Sequence, residues 1–271
     1  MDVNTIVRAM ATSVADPATQ LVQTRFRVGL AEGWGIGAGE RVLEVGCGQG
    51  DMTAVLAGTG AQVTAVDVAS PDYGAPVTLG DSAAFLRATP LGANIDFRFE
   101  FDVLARDFPA DTFDHVVLSQ CAWYFASLDQ LRATLRRVRP WARRLCFAEW
   151  DLRPTRTEQL AHLLAVQIQG QIEAGGARGD GNVRTPFSRE TLLRVLIETG
   201  WHAEETRTVD ATGMHDADWE IGACRAVVDE RLSDLPGPLR DFVASQVDVL
   251  DSVALDGGNE PLPCYSVTAT R

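Results

Sequence analysis

The stretch "RVLEVGCGQGD", Arg41 to Asp51, decides how the rest of this chain is read. An apolar run, Val42-Leu43-Glu44-Val45, breaks into glycines at alternate positions, Gly46, Gly48 and Gly50. Glycine lets a backbone turn sharply and pass close to a ligand, because no Cβ stands in the way. The run before the glycines reads as a strand over 41–45, and "DMTAVLAGTG" after them as a helix closed by Gly58 and Gly60. Strand, glycine loop and helix in this order make a cradle for a cofactor, a dinucleotide or another.

The alternation continues outward from there. "QVTAVDV" (62–68) reads as a second strand, "GDSAAFLRATPLG" as helical, and "DFRFEFDV" (96–103) as a third strand. "DHVVLSQ" (114–120) is a fourth strand, "LDQLRATLRRV" (128–138) a helix and "RLCFAEWD" (144–151) a fifth strand. Strands alternating with helices predict a doubly wound, mostly parallel sheet with ligands at the carboxyl ends of its strands. Upstream, residues 1–35 read as helical, with Leu21, Val22, Phe26 and Leu30 on one apolar face.

Downstream the rhythm changes. A helix over 157–176 has no strand directly after it; "SRETLLRVLIETG" (188–200) is a helix capped by Ser188 and ended by Gly200. A short strand follows at 203–209, then a mostly helical 216–256 and a final strand at 264–271. One domain explains this pattern: a seven-stranded α/β core from 36–151, 188–209 and 260–271, with helical caps from 1–35, 152–187 and 210–259.

The net charge of −13 opposes nucleic acid and anionic membranes as partners, since both need a basic field. All 24 cationic residues are arginine. Five scattered cysteines, 47, 121, 146, 224 and 264, fit a reducing compartment, and with no C-x-x-C spacing no metal site is expected. Neither a signal peptide nor a membrane-spanning run is visible, so the expectation is a cytoplasmic protein with a small-molecule partner, and a homodimer is the candidate assembly.

Four features separate the glycine loop from a dinucleotide site. "GCGQG" is one residue short of G-x-G-x-x-G. Glu44 stands at the tip of the first strand, where a carboxylate suits a cationic ligand better than a pyrophosphate. Asp102 stands at the tip of the third, after Asp67 has ended the second. The extra strand at the C-terminal edge is also foreign to the ordinary dinucleotide fold.

The order "LEVGCGQGD", "VTAVD", "FEFDV", "FPADTFDHVVLSQCAWYF" resembles the class I S-adenosylmethionine-dependent methyltransferases, closely over residues 38–151 and by architecture beyond. The segments "NVRTP" (182–186) and "GMHDADWE" (213–220) are similar to those of a largely fungal, small-molecule subgroup with such insertions. The resemblance implies a Rossmann-like methyltransferase fold that binds S-adenosylmethionine and releases S-adenosylhomocysteine. By it, Gly46, Gly48 and Gly50 pass close to the methionine and ribose, Asp67 takes both ribose hydroxyls, and Asp102 takes the adenine amino group. Val68 and Val103 wall the adenine ring, Glu44 lies near the methionine amino group, and Gln120 lies beside the methionine end.

A methyl acceptor belongs at the carboxyl ends of strands four and five, near "SQCAWYF" and "AEWD". There Trp123 and Trp150 suit its walls, and Tyr124 adds a hydroxyl; core packing explains these aromatics equally well. His162, on the first cap helix, is the best candidate base, and His215 the histidine that reaches substrate from the second cap. Arg184 and Trp219 are worth testing, with cap packing as their plainer role; His115 and His202 read as structural. Methyl transfer to oxygen, nitrogen or carbon of a small molecule is the expected function. The alternative is an enzyme of the same fold that binds the cofactor and catalyses a non-methylating reaction such as a cyclisation.

Overall fold

A computed structural model describes residues 2–179, 181, 183–255 and 258–271. Its sheet contains β1 (Arg41–Val45), β2 (Gln62–Val66), β3 (Ile95–Arg98), β4 (Phe113–Ser119), β5 (Ala142–Trp150), β6 (His202–Val209) and β7 (Cys264–Thr270). The strand order is β3-β2-β1-β4-β5-β7-β6, with β7 antiparallel to both of its neighbours and the other pairings parallel. The order reverses between β1 and β4, so a crevice opens at their carboxyl ends, where the glycine loop leaves β1.

The helices are α1 (Val3–Arg8), α2 (Pro17–Trp34), α3 (Asp51–Gly58), α4 (Leu79–Arg87), α5 (Leu128–Val138), α6 (Leu160–Ala174), α7 (Arg189–Glu198), α8 (Asp216–Arg231) and α9 (Gly237–Val253). Local chemistry starts several of them. Asp16, Thr78, Ser127 and Ser188 each accept a backbone N–H of the first turn, on α2, α4, α5 and α7 respectively. Residues three apart on β5 face opposite sides of the sheet, and both sides are covered. Phe147 lies beside Phe187, just before α7, while Trp150 stacks on Phe26 of α2 at 6.3 Å. The Trp34 indole donates to Ser266 Oγ at 2.8 Å, fastening α2 onto β7.

The two insertions meet. Ala165, Ile168 and Ile172 of α6, Ile221 and Cys224 of α8, and Val243 and Leu250 of α9 form an apolar cluster of their own beside the main core. Gln23 of α2 donates to Asp216 of α8 at 2.8 Å, so the N-terminal helix joins the same cap.

The third strand is shorter than the expected 96–103. Glu100 takes a left-handed conformation, φ 51°, which breaks regular pairing after Arg98. The chain still follows the tip of β2, because Phe101 N donates to Asp67 O at 2.8 Å and Glu100 N to Ala69 O at 3.0 Å. Asp102 therefore lies in a turn beside Asp67, not on a strand end.

Candidate active site

The glycine loop folds into a cradle with an open side. Gly46, Gly48 and Gly50 all have positive φ, 74°, 51° and 85°. A Cβ on Gly46 would stand 2.8 Å from Cys121 Cβ, whereas one on Gly48 would meet nothing within 4 Å. Gly46 is thus wedged against the β4 tip, and Gly48 faces free space. Asp67 closes the cradle from β2, accepting Gly48 N at 2.9 Å through one oxygen and Ala69 N at 2.9 Å through the other. Its carboxylate stays partly exposed, with lone pairs left for further donors.

Apolar surface flanks that carboxylate. Val68 is 66% exposed, and Asp102 is exposed, its Oδ1 accepting Leu104 N at 2.8 Å. Val103 corrects the expected wall: it is buried in the main core, and Leu104 is the exposed apolar residue of that turn. No sequence period marks Leu104, because the segment is a turn. Gln120 follows β4 with φ 50°, donates its backbone N–H to Ala148 O at 2.8 Å, and leaves its buried side-chain Nε2 without a partner. Open room at Gly48, free lone pairs on Asp67, exposed Val68 and Leu104, and an unpaired Gln120 amide together fit a nucleoside carrying an amino-acid tail. Asp67 would take the ribose hydroxyls, Val68 and Leu104 the base, and Gln120 the tail.

Glu44 is placed differently from the expectation. It is buried and accepts the Thr53 hydroxyl of α3 at 2.5 Å, so it turns toward the helix and not into open cleft. Burial pushes its carboxyl up to about 8, and does the same to Glu149 at the end of β5. Glu149 accepts the amides of Ala122, Trp123 and Trp150 and so pins the turn after β4. The pinning role of Glu149 was not legible in the motif "AEWD".

These two carboxyls make a pH prediction. Their folded acidity lies above the ordinary value of 4.5, so between there and about 8 the folded chain binds more protons than the unfolded one. The stability they contribute is full below about pH 4.5 and is lost as pH rises through about 8. Glu44→Gln keeps a partner for Thr53 and removes one titration. Its melting temperature relative to wild type is expected to rise between about pH 5.5 and about pH 9, measured calorimetrically at constant salt. A constant difference would mean that Glu44 does not titrate in that window.

On the acceptor side, Tyr124 ends a short turn over Ala122–Tyr124 and is 48% exposed. Trp123 is buried, and its carbonyl accepts the amides of Arg184 and Thr185, both at 2.9 Å, which clips the first insertion onto the turn. Trp150 is buried between Phe26 and His162.

His162 is not built as a base. It is fully buried, and its Nδ1 accepts Leu262 N at 3.0 Å, which places the ring proton on Nε2. Burial pushes its pKa down to about 3, so near neutrality the ring is an uncharged donor without a free lone pair. His215 lies exposed before α8 and stacks on the exposed Trp219 at 6.2 Å, outside the buried wall. Arg184 pairs with Glu173 of α6 at 3.2 Å, a contact within the cap; Asn182 of the same segment lies outside the described residues. His115 is buried against Glu40 at the opposite end of the sheet, and His202 is exposed on the edge strand β6.

Several polar residues of this region went unnoticed in the sequence. Gln20, Gln23 and Thr24 are buried on α2, and Arg27 approaches Asp51 at 3.7 Å beside the glycine loop. Asp216 of α8 accepts from Gln23 of α2, and Glu220, one turn on, accepts from Gln169 of α6. A run of polar residues at 20, 23, 24 and 27, three to four apart, was the available signal that one side of α2 meets something polar. Among the described residues, no group of three His, Cys, Asp or Glu side chains stands close enough to hold a metal ion, and no helix is long and apolar enough to cross a membrane.

Over 194 residues the chain is 30% identical to methyltransferase phomM' of Diaporthe leptostromiformis, covering 59% of this chain and 49% of that protein. The chain thus spans about half the length of the curated relatives it matches. The crystal structure of a cyclopropane-fatty-acyl-phospholipid synthase-like protein from Lactobacillus casei superposes with a TM-score of 0.88 at 32% identity, covering 99% of this chain and 98% of that one. The [4+2]-cyclase SpnF, at 18% identity and a TM-score of 0.57 over 92% of this chain and 80% of its own, shares the fold. A model of the methyltransferase domain matches residues 15–206, most of the sheet and its glycine cradle. On that match, the chain belongs to the methyltransferase-domain family, within the class I S-adenosylmethionine-dependent methyltransferases.

Proposed function

We propose that this chain binds S-adenosylmethionine at the tips of β1 and β2 and transfers its methyl group to a small-molecule acceptor seated under the cap. The observation that carries the reading is Asp67, whose carboxylate ties the Gly48 amide to the exposed Val68 tip and keeps lone pairs for a ribose. The cofactor supplies a methyl group on a sulfonium, already activated for in-line displacement. The chain's own task is alignment, dehydration and, for some acceptors, removal of one proton.

Its residues suit that task. Trp123, Trp150 and the cap helices form a dry wall, and Tyr124 presents a half-exposed ring and hydroxyl at its mouth. The net charge of −13 supports a metabolite over nucleic acid as acceptor. The test is turnover with methyl-labelled S-adenosylmethionine and a fractionated metabolite pool. One S-adenosylhomocysteine is expected for each labelled product. Acceptor conversion without S-adenosylhomocysteine would replace this reading by the non-methylating one.

A further inference from the structure

A cation stands beside the glycine loop. Arg27 of α2 brings Nη2 to 3.7 Å from Oδ2 of Asp51, the residue that follows Gly50 and opens α3. That is an ion pair without a hydrogen bond, since an N–H donor reaches an oxygen within about 3.2 Å. The other oxygen of Asp51 accepts the Thr12 hydroxyl at 3.0 Å. Glu44 also feels the charge of Arg27, but burial pushes its carboxyl up to about 8, so near neutrality it offers little counter-charge.

The guanidinium is held from behind. Its Nη1 donates to Gln23 Oε1 at 3.0 Å, one turn back on α2. Gln23 is 2% exposed and donates Nε2 to Asp216 of α8 at 2.8 Å. With its oxygen on Arg27 and its nitrogen on the cap, the Gln23 amide has one orientation, and it fixes the arginine. The Arg27 side chain is 17% exposed, so it is anchored yet reachable, with N–H donors to spare beyond the one given to Gln23.

The helix beside it makes a matching demand. α3 starts at Gly50 without a side-chain cap, so its first-turn N–H groups face the loop with no capping oxygen. Such an end favours an anion. A guanidinium adds geometry to that preference, because its planar fork fits a carboxylate and repels an ammonium.

We propose that Arg27 is a cofactor-binding residue: its guanidinium, held by Gln23 and through it by Asp216, takes the carboxylate of the amino-acid tail at the α3 end of the cradle. The proposal rests on the cofactor reading above. It divides the tail between two donors, Arg27 from α2 and the Gln120 side-chain amide beyond β4. It also makes the N-terminal helix part of the cofactor site, which the sheet and its loops do not complete alone.

The experiment titrates the protein calorimetrically with three thioether nucleosides. S-adenosylhomocysteine carries the whole tail, its decarboxylated form keeps only the ammonium, and methylthioadenosine has neither group. Wild type is expected to bind S-adenosylhomocysteine about tenfold or more tighter than the decarboxylated form, the scale of a hydrogen bond to a charged group. Arg27→Met is expected to bring those two within about threefold of each other while methylthioadenosine affinity holds. Arg27→Gln, a second uncharged variant, carries the same expectation should the first fail to fold, and Arg27→Lys, which keeps the charge without the fork, falls between. An arginine that only braces the fold would weaken all three ligands alike when removed, and that result overturns the proposal. A wild type indifferent to the carboxylate, or an undiminished preference in the uncharged variants, overturns it as well. Failure of the wild type to bind any of the three is a separate result and overturns the cofactor reading beneath it.

Discussion

Asp67→Ala is expected to weaken S-adenosylhomocysteine binding about 100-fold, or about 2.7 kcal/mol, and to leave the protein folded. The carboxylate spans two jobs. It holds the loop through Gly48 N at 2.9 Å and its own tip through Ala69 N at 2.9 Å, and it offers the remaining lone pairs to a ligand. Hydrogen bonds to a charged group contribute about 1.5–3 kcal/mol each, so losing the ligand's share alone accounts for the expected change. The fold survives because Asp67 is partly exposed, and water replaces it at both amides. Asp67→Asn keeps one acceptor oxygen and is expected to fall between the two. Calorimetric titration measures both variants, and an alanine variant that binds like wild type would remove Asp67 from the site.

Gly46→Ala is expected to cost about 2–4 kcal/mol of stability, from the sum of a left-handed alanine and an overpacked contact. Gly46 has φ 74°, and its Cβ would stand 2.8 Å from Cys121 Cβ and 3.1 Å from Cys121 Sγ. Cys121 cannot retreat easily, because it is buried and its thiol donates to Val45 O at 3.1 Å. The two terms separate in a second variant. Cys121→Gly in the Gly46→Ala background removes the clash but not the strain, and is expected to recover part of the loss relative to Cys121→Gly alone. Denaturant unfolding of the four proteins gives the coupling directly. Additive losses would show that the glycine is needed for its φ and not for the close approach.

The parts of this molecule that follow local periods were legible in the sequence. The strand, glycine loop and helix of 41–58, the alternation through β5 and the presence of a last strand follow from apolar patterning and turn residues. Asp67 was legible because it closes an apolar strand at the right distance from the glycines. The third strand was overread, since "FEFDV" alternates like a strand and nothing local betrays the left-handed turn at Glu100. That turn exposes Leu104 and buries Val103, reversing the expected wall.

The acceptor side was barely legible, and the reason is tertiary. His162 looks like a catalytic histidine on its helix, yet Leu262, 100 residues away, takes its Nδ1, and burial does the rest. Gln169 and Glu220, joined at 2.9 Å, come from two distant segments, and no spacing connects them. Only packing the two insertions against each other brings them to one place, and that packing is written in the small apolar cluster of α6, α8 and α9.

The central claim is that the cradle at the β1 and β2 tips is made for S-adenosylmethionine. Isothermal titration of the wild-type chain with S-adenosylhomocysteine, and separately with NAD, tests it most directly. The account predicts saturable binding of S-adenosylhomocysteine at one site per chain and no heat of binding from NAD. Binding of NAD in preference, or no binding of S-adenosylhomocysteine, would contradict it.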